Sequence, residues 1–503
     1  MKIGIIGAGF AGLCTAKVLH RAGHDVVVFD KAPDVGGVWS RTRRYPGLAT
    51  QSPKAQYAFS DFPMPAEFPE WPSGEQVQRY LADYAAASGL TGSLRLDTEI
   101  VRAVPGERGW SLSWRGPGAT SGTEPFDRLV VANGVFCEPD VPDYPGANGF
   151  RAHGGRVVAS TAFPDAEAAR GKAVLVVGYG KSACDIAAAV SGVAARTEVV
   201  ARHVLWKMPR RIAGLVNFKA LLLTRLGESL FRYVRLRGVE KILHGPANGL
   251  RRRMLNSLGV LSVRQYGLKR HGLVPRGGME DIVKGAVSLV TDGFFDAVAD
   301  GRIVVHRDRT VARLLVRDGR PGAELDDGSV VAADIVICGT GFSQGVPFFD
   351  ADVQRELFDE RGNFMLYRQI LPSGPAGLYF NGYNSSFFSP LNAEAAAMWI
   401  AADLAGTLTL PDPARRREAV VEQLAFMDIA TGRHHCRGTK IIPFSLHNVD
   451  EVLDDLDLNI GRFTRAAHWL KPVDPAAYRD VLPRLLERLS DPAEKAVADA
   501  LAG

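Results

Sequence analysis

The sequence predicts an α/β protein with two Rossmann-like dinucleotide-binding domains, the second inserted in the first, and a helical C-terminal part. Three observations carry that prediction. At 503 residues the chain is longer than one hydrophobic core usually supports. Two glycine-rich strand-to-helix turns, IIGAGFAGLCTA from Ile5 and VVGYGKSACDIA from Val176, stand about 170 residues apart. Beyond the second turn, strand patterns return and then give way to about 90 mainly helical residues.

KIGIIG, a helix over roughly Ala11 to Ala22, and DVVVFD form a βαβ start over residues 2–30. Proline- and aromatic-rich loops cover about 44–72, and a helix is expected near Gly74 to Ala87. Short strands in LRLDTEIVRAV and WSLSW lead to FDRLVVANG. KAVLVVGYG then opens a second βαβ unit that closes at TEVVARH. Residues from about 212 to 285 read as helical, irregular and rich in arginine. GRIVVHRD and TVARLLVRDG alternate like strands, ADIVICGTGF reads as a buried strand and turn, and GLYFNGYNSSFFSPLNAEAAAMWIAADLAG as strand, turn and helix. The first domain is therefore expected at 1–155 and 326–503, and the second at 156–325 with a helical insertion at about 212–285.

Composition narrows the function. A chain that is 46% hydrophobic and 23% charged is an ordinary globular one, and a net charge of +5 is too small to imply nucleic acid. Cys14, Cys137, Cys184, Cys338 and Cys436 are scattered, with no CxxC, which argues against a disulfide framework, a zinc cage or a redox pair. A reducing, cytoplasmic setting is expected. MKIGIIGAGFAGL looks superficially like a signal peptide but is better explained as strand and turn. GLVNFKALLLTRLGESLFRY carries Lys219, Arg225, Glu228 and Arg232, so no integral membrane segment is expected. Oligomeric state stays open, a homodimer included.

The chemistry lies in the turns. Gly7, Gly9 and Gly12 form GxGxxG between a strand and a helix, with Phe10 and Ala11 opening the helix; Asp30, followed by Lys31, ends the next strand 23 residues after Gly7. Such glycines let a pyrophosphate approach the backbone, the helix N-terminus stabilises its charge, and the carboxylate accepts ribose hydroxyls. In the second turn Gly178 and Gly180 are kept, Ala183 takes the third place, and Tyr179, Lys181 and Ser182 lie between. The acid is missing: the equivalent position is Ala201, with Arg202 beside it. An arginine pairs with a 2′-phosphate that an acid would repel, so this site should prefer NADP(H). Lys207 and Arg210 are candidates for added positive potential, or else part of a solvated strand end. Two nucleotide sites suggest a flavin and a nicotinamide in series. Three dispersed segments support FAD on the first: Gly36-Gly37-Val38-Trp39 to admit and cover the flavin, Cys338-Gly339-Thr340-Gly341-Phe342 as a turn returning to it, and Gly382 with the helix starting near Asn392–Glu394 to present amides.

The order of these motifs resembles that of the class B flavoprotein monooxygenases, the flavin-containing monooxygenases and their Baeyer–Villiger relatives. GAGFAGL, GGVW, the block Thr50-Gln51-Ser52-Pro53-Lys54 leading to Phe59-Ser60-Asp61-Phe62-Pro63, VVGYGKSACDIA, CGTGF and the Glu394 to Trp399 helix carry the likeness, with VDEVLDDLDLNIG near the end. The likeness spans most of the chain and is loosest over 212–285. It implies that NADPH reduces FAD, that O2 adds to give a C4a-hydroperoxide shielded by NADP+, and that the distal oxygen passes to a soft nucleophile, nitrogen or sulfur, of a small molecule. Thr50 and Ile100 join the implied cofactor set. Gln51 stands where the family usually has an asparagine whose amide holds the flavin intermediate and NADP+, and it is the implied catalytic residue; it keeps the amide on an arm one methylene longer.

A second departure concerns the family fingerprint FxGxxxHxxx(Y/F/W). Gly155 and Phe163 are kept, Ala159 replaces the histidine, and Phe150 is displaced from its usual spacing. That loss weakens the Baeyer–Villiger alternative, although Arg44-Tyr45-Pro46-Gly47 is similar to those enzymes. A flavin- and nucleotide-binding redox sensor without turnover is the alternative of another class. His434-His435-Cys436 has no evident fourth ligand, so no metal is expected. Arg251-Arg252-Arg253 reads as a solvated helical face ahead of a contact to anionic lipid or substrate, and Tyr57, Phe59, Trp71, Phe387 and Phe388 as core aromatics before pocket lining.

Overall fold

In the computed structural model, which describes residues 1–285, 287–384, 386–433, 437 and 445–490, each glycine-rich turn ends the middle strand of a five-stranded parallel sheet. The first sheet runs Leu378–Phe380, Arg128–Val131, Lys2–Ile6, Asp25–Phe29, Leu94–Arg95. The second runs Ile303–Arg307, Arg196–Ala201, Ala173–Val177, Ile335–Cys338, Arg156–Ala159. KIGII and AVLVV are apolar almost throughout because helices or loops cover both faces of a parallel sheet. In each sheet the chain leaves the middle strand to one side and returns much later on the other, which opens a crevice at the strand ends.

One boundary expectation is corrected. Ile335–Cys338, placed by sequence in the first domain's second part at 326–503, pairs instead between Ala173–Val177 and Arg156–Ala159 in the second sheet. Its four residues are buried on both faces, and such a run carries no mark of which sheet it joins. Beside each parallel sheet lies a three-stranded antiparallel meander, Glu99–Gly106 with Gly109–Arg115 and Ser121–Phe126 at the first, Val311–Arg317 with Arg320–Leu325 and Val330–Ala332 at the second.

Phe10–Arg21 is buried along most of its length against Ser389–Leu404, whose alanine-rich middle lets the backbones approach. Lys17 lies inside this contact and is neutralised by Asp61 at 2.6 Å. Gly74–Ala87 starts where Ser73 and Gln76 form a reciprocal capping box.

The insertion forms the helices Lys219–Leu222, Arg225–Ser229, Val239–Leu243 and Asn248–Gln265. Phe218, Leu223, Met279 and Ile282 pack into the first domain's core. Charged contacts bind it to Ser445–Asp455. Arg225 makes a two-pronged pair with Asp450 at 2.6 and 2.8 Å. Glu228 accepts the amides of Leu446 and His447, and the His447 ring lies between Glu228 (2.6 Å) and Glu240 (2.5 Å). Burial alone would lower the His447 pKa, but the two carboxylates hold it up to about 10. The expected solvated arginine face is corrected at one position. Arg251 is buried and donates to Leu230 O and Glu280, whereas Arg252 and Arg253 are exposed. Phe150, although out of its usual spacing, packs on Gly155 so closely that a Cβ there would overlap its ring.

Among the described residues no helix is long and apolar enough to cross a membrane, no disulfide forms, and no group of histidine, cysteine and acidic residues is arranged for a metal. His434, His435 and Cys436 lie outside the described residues.

Candidate functional site

The backbone bonds around the two turns correspond one for one. Gly7 donates to Phe29 O at 2.7 Å and Ala132 to Ile6 O at 2.8 Å; Gly178 donates to Val200 O at 2.9 Å and Gly339 to Val177 O at 2.8 Å. With φ of +110° at Gly7 and +122° at Gly178, a Cβ at either would strike the carbonyl oxygen of Ala132 or Gly339. Neither following helix has a side-chain cap, whereas Ser73, Asp350 and Asp412 cap theirs. The first amides after Gly9 and after Gly180 are therefore open to an anion.

The turns differ at their third small residue. A Cβ on Gly12 would overlap the Gly7 carbonyl oxygen. Ala183 carries its Cβ without that clash, and the space is conceded by Gly339, where a Cβ would lie 2.8 Å from it. In the first turn the corresponding partner is Ala132.

The first turn is roofed. Gly36 donates to Ala8 O at 2.9 Å, and a Cβ on Gly37 would stand 3.3 Å from Gly9 Cα. Trp39 is buried edge-on to Tyr57 at 5.8 Å, which meets Phe10 at 5.0 Å, while Val38 is exposed. Asp30 accepts the amides of Ala8 (2.7 Å) and Ala32 (2.8 Å); burial pushes its carboxyl up and these amides oppose the shift. Lys31 pairs with Glu138 at 2.8 Å on the surface. The Ile100 side chain is core, packed with Phe29 and Trp110, so any ligand contact there would be through its backbone.

The second turn is open: nothing lies within 4 Å of where Gly180 would carry a Cβ. Arg202 is exposed at the end of Arg196–Ala201, with no described carboxylate in ion-pair range. For Lys207 and Arg210 the alternative of a solvated strand end is corrected. Lys207 is buried, bonded to Ser288 Oγ at 3.1 Å and 5.2 Å from the Tyr179 ring centre, and Arg210 pairs with Asp292 over the Trp71 ring. Lys181 pairs with Asp185, which also accepts Thr291 Oγ1 at 2.5 Å. The Lys181 and Ser182 side chains are thus engaged within the protein, and what they offer a phosphate is their backbone.

Side chains far apart in sequence meet between the turns. The Gln51 Oε1 accepts the Leu289 amide at 3.1 Å; Leu289 belongs to the short ladder with Met208 that follows the second sheet. Ser182 Oγ donates to Tyr45 OH at 3.0 Å, and Gly47 lies so near Asp185 that a Cβ would be 2.9 Å from its carbonyl oxygen. Ser52 donates to Phe387 O at 2.6 Å, and a Cβ on Gly382 would sit 2.8 Å from Ala11 Cβ, so the approach to Ser389–Leu404 closes over the first turn. Asn392 is buried with its amide bonded to Ser386 and Phe388, and its Oδ1 has no partner; nor has the buried Thr50 Oγ1 or Tyr179 hydroxyl. Buried oxygens without partners cost free energy, of order 1–3 kcal/mol each. Unpartnered polar atoms at Thr50, Tyr179 and Asn392 and open amides at both helix starts fit FAD and NADP(H) as the groups that would satisfy them.

Gly341 has clear space and φ of +111°, but the turn it belongs to leaves the second sheet and returns beside Pro139 and Asp140. Sequence reasoning missed Tyr45 as a contact to the second turn, Thr291 on Asp185, and Asn133, which bonds Tyr383 OH at 2.7 Å and Gly345 O at 2.9 Å. These partners are separated by more than 100 residues and leave no local pattern. Glu394, noted only as part of a helix start, is buried and accepts Ser60 N–H at 2.9 Å; burial lifts its carboxyl to about 8.

Known proteins are similar to this chain in sequence and in fold. The chain is 27% identical over 403 residues to indole-3-pyruvate monooxygenase YUCCA1 of Oryza sativa, covering 80% of this chain and 90% of that one. Its fold matches S-allyl-L-cysteine S-oxygenase from Allium sativum with a TM-score of 0.61 at 20% identity, over 99% and 98% of the two chains. Cyclohexanone monooxygenase in its cyclohexanone-bound form matches with a TM-score of 0.66 at 16% identity, over 91% and 97%. The model of the flavin-binding monooxygenase-like family matches residues 1–440. With both turns intact, the chain belongs to that family, as an NADPH-dependent flavin monooxygenase whose cofactors are FAD and NADP(H).

Proposed function

We propose that this enzyme uses NADPH and O2 to oxygenate a soft nitrogen or sulfur atom of a small molecule. The observation that carries the reading is Gln51, whose amide joins the loop over the first turn to a strand of the second unit at Leu289. Its oxygen is occupied by that amide, which leaves its NH2 as the neutral donor of the side chain. A neutral donor neither gains nor loses a proton at ordinary pH. That suits oxygen transfer to a lone pair, which needs no acid–base dyad.

In this reading Gly7, Gly9, Phe10, Ala11, Gly12, Asp30, Lys31, Gly37, Val38, Trp39, Thr50, Ile100 and Asn392 hold FAD. Gly178, Tyr179, Gly180, Lys181, Ser182, Ala183 and Arg202 hold NADPH, and Gly341 lies on the crossover between the two. Bound FAD, once reduced by NADPH, supplies the activation of O2. The protein's part is to orient and to keep water out: Trp39, Tyr57 and Phe10 wall the first turn, and Gln51 ties the loop beside it to the second unit at Leu289.

The test is steady NADPH oxidation by the FAD-loaded enzyme over a panel of amines, sulfides and ketones, with product masses. N-oxides or sulfoxides formed in step with NADPH consumption support the reading. Esters from ketones would replace it with Baeyer–Villiger chemistry, and consumption of neither NADPH nor O2 with any substrate would leave a sensor.

A further inference from the structure

The insertion holds a cleft that neither dinucleotide turn uses. It lies between Asn248–Gln265 and the loop running to Met279, with a volume of about 580 Å³. That is the size range of small-molecule sites, roughly 300–1,000 Å³. Its floor is apolar. Gly259, facing it from the helix, has no side chain, and a Cβ there would already touch the Trp206 ring and Met279 Cβ at 3.4 Å. The indole edge therefore lines the cleft directly, flanked by Val260 and Val263.

Its rim is basic. Arg264, Lys269 and Arg270 are all exposed, and none pairs with a described carboxylate within 4 Å. Arg225, Arg235 and Arg251 of the insertion are matched, with Asp450, Glu422 and Glu280, whereas Arg232, Arg252 and Arg253, like the rim, have no described carboxylate within 4 Å; what sets the rim apart is the cleft it borders. Arg264 stands in the last turn of its helix, where the dipole favours a cation, but Lys269 and Arg270 lie past it and gain nothing from that. Three unmatched cations above an apolar floor attract a particle with one negative end and an apolar body.

We propose that this cleft is a second small-molecule site, which takes an amphipathic monoanion with its chain or ring along the Trp206 edge, Val260 and Val263 and its carboxylate-type head at Arg264, Lys269 and Arg270. The site is separate from the flavin chemistry and does not depend on the substrate class proposed above.

Calorimetry on the full-length, FAD-loaded protein saturated with NADP+ tests it, using decanoate, decanol and decyltrimethylammonium as probes. Decanoate should bind about tenfold or more tightly than decanol, and the ammonium not measurably. Replacing the rim together, Arg264→Gln, Lys269→Gln and Arg270→Gln, should erase decanoate's advantage while leaving decanol unchanged. These side chains are exposed, so FAD content and Tm should match wild type. Val260→Trp, on the exposed side of the same helix, should fill the cleft and weaken both probes about tenfold or more. The inference is overturned by equal binding of decanoate and decanol, by an unchanged decanoate affinity in the rim variant, by no decanoate binding at all, or by binding seen only without NADP+, which would make the cleft part of the dinucleotide site.

Discussion

The two glycine-rich turns solve one backbone problem in two ways. Both place a positive-φ glycine against the carbonyl of the strand that returns on the other side. The first then omits a methyl from the helix at Gly12 and keeps one on Ala132; the second keeps it at Ala183 and omits it from the strand end at Gly339. Their mouths differ too. GGVW closes over the first, whereas the space at Gly180 is clear and ends in an exposed arginine in place of an acid. A roofed turn suits a cofactor that stays, and an open one suits a cosubstrate that enters and leaves each cycle.

The largest effect should come from exchanging the small residues. Gly12→Ala drives a methyl into the Gly7 carbonyl oxygen, and a clash of that kind in a fully packed turn costs about 4 kcal/mol or more. The purified variant should be colourless, judged by flavin absorbance against protein. Ala183→Gly should cost only about 1 kcal/mol and leave KM for NADPH nearly unchanged. A yellow, stable Gly12→Ala protein would show that the turns are interchangeable after all.

The helices behind the turns differ as well. Lys181–Val190 contains its own ion pair, Lys181 with Asp185, whereas Phe10–Arg21 rests on a helix carrying the buried Glu394. Burial raises that carboxyl from its ordinary 4.5 to about 8, so the folded state holds a proton that the unfolded chain releases. Its contribution to stability is complete below pH 4.5 and is lost as pH climbs toward 8, at about 1.4 kcal/mol per pH unit. Glu394→Gln keeps the hydrogen bonds to Ser60 and removes the titration. Urea unfolding at a series of pH values from 5 to 8 should fall for wild type and be flatter for the variant. Parallel curves would place the ionised form in the folded state.

Arg202→Ala tests the difference in charge at the mouths. Loss of a charge-assisted bond to a 2′-phosphate costs about 1.5–3 kcal/mol, or roughly 10- to 150-fold. The rise should appear in KM for NADPH and be nearly absent for NADH. Equal changes with both would remove Arg202 from 2′-phosphate recognition.

What the sequence made legible were features written locally. Both turns, the helix near Gly74 to Ala87, and Asp30 against Arg202 are patterns within a few tens of residues. What it hid depends on partners far along the chain. The buried run at Ile335 reads the same whichever sheet receives it. Lys207 and Arg251 look solvated until Ser288 and Glu280 are seen beside them. Gln51 was legible as a residue of interest, but its bond to Leu289 spans 238 residues. The pairing of Ala183 with Gly339 was likewise invisible, since neither residue alone departs from an ordinary turn.

The smallest predicted effect concerns how the turns are joined. The fingerprint between the domains has Ala159 where a histidine is usual, so its side chain offers no polar link. A link exists elsewhere: Ser182, on the first turn of the second helix, donates to the Tyr45 hydroxyl from the first domain. Tyr45→Phe removes only that bond and keeps the ring, which should cost about 1 kcal/mol in stability. Ser182→Ala should cost a similar amount, and because the two groups serve each other, the double variant should lose little more than either alone. If the contact also fixes how the domains meet during turnover, Tyr45→Phe should raise the H2O2 released per NADPH consumed while FAD content stays the same. Strictly additive losses in the double variant would mean that the hydroxyls act separately, shifting the link toward bonds such as that of Gln51 with Leu289.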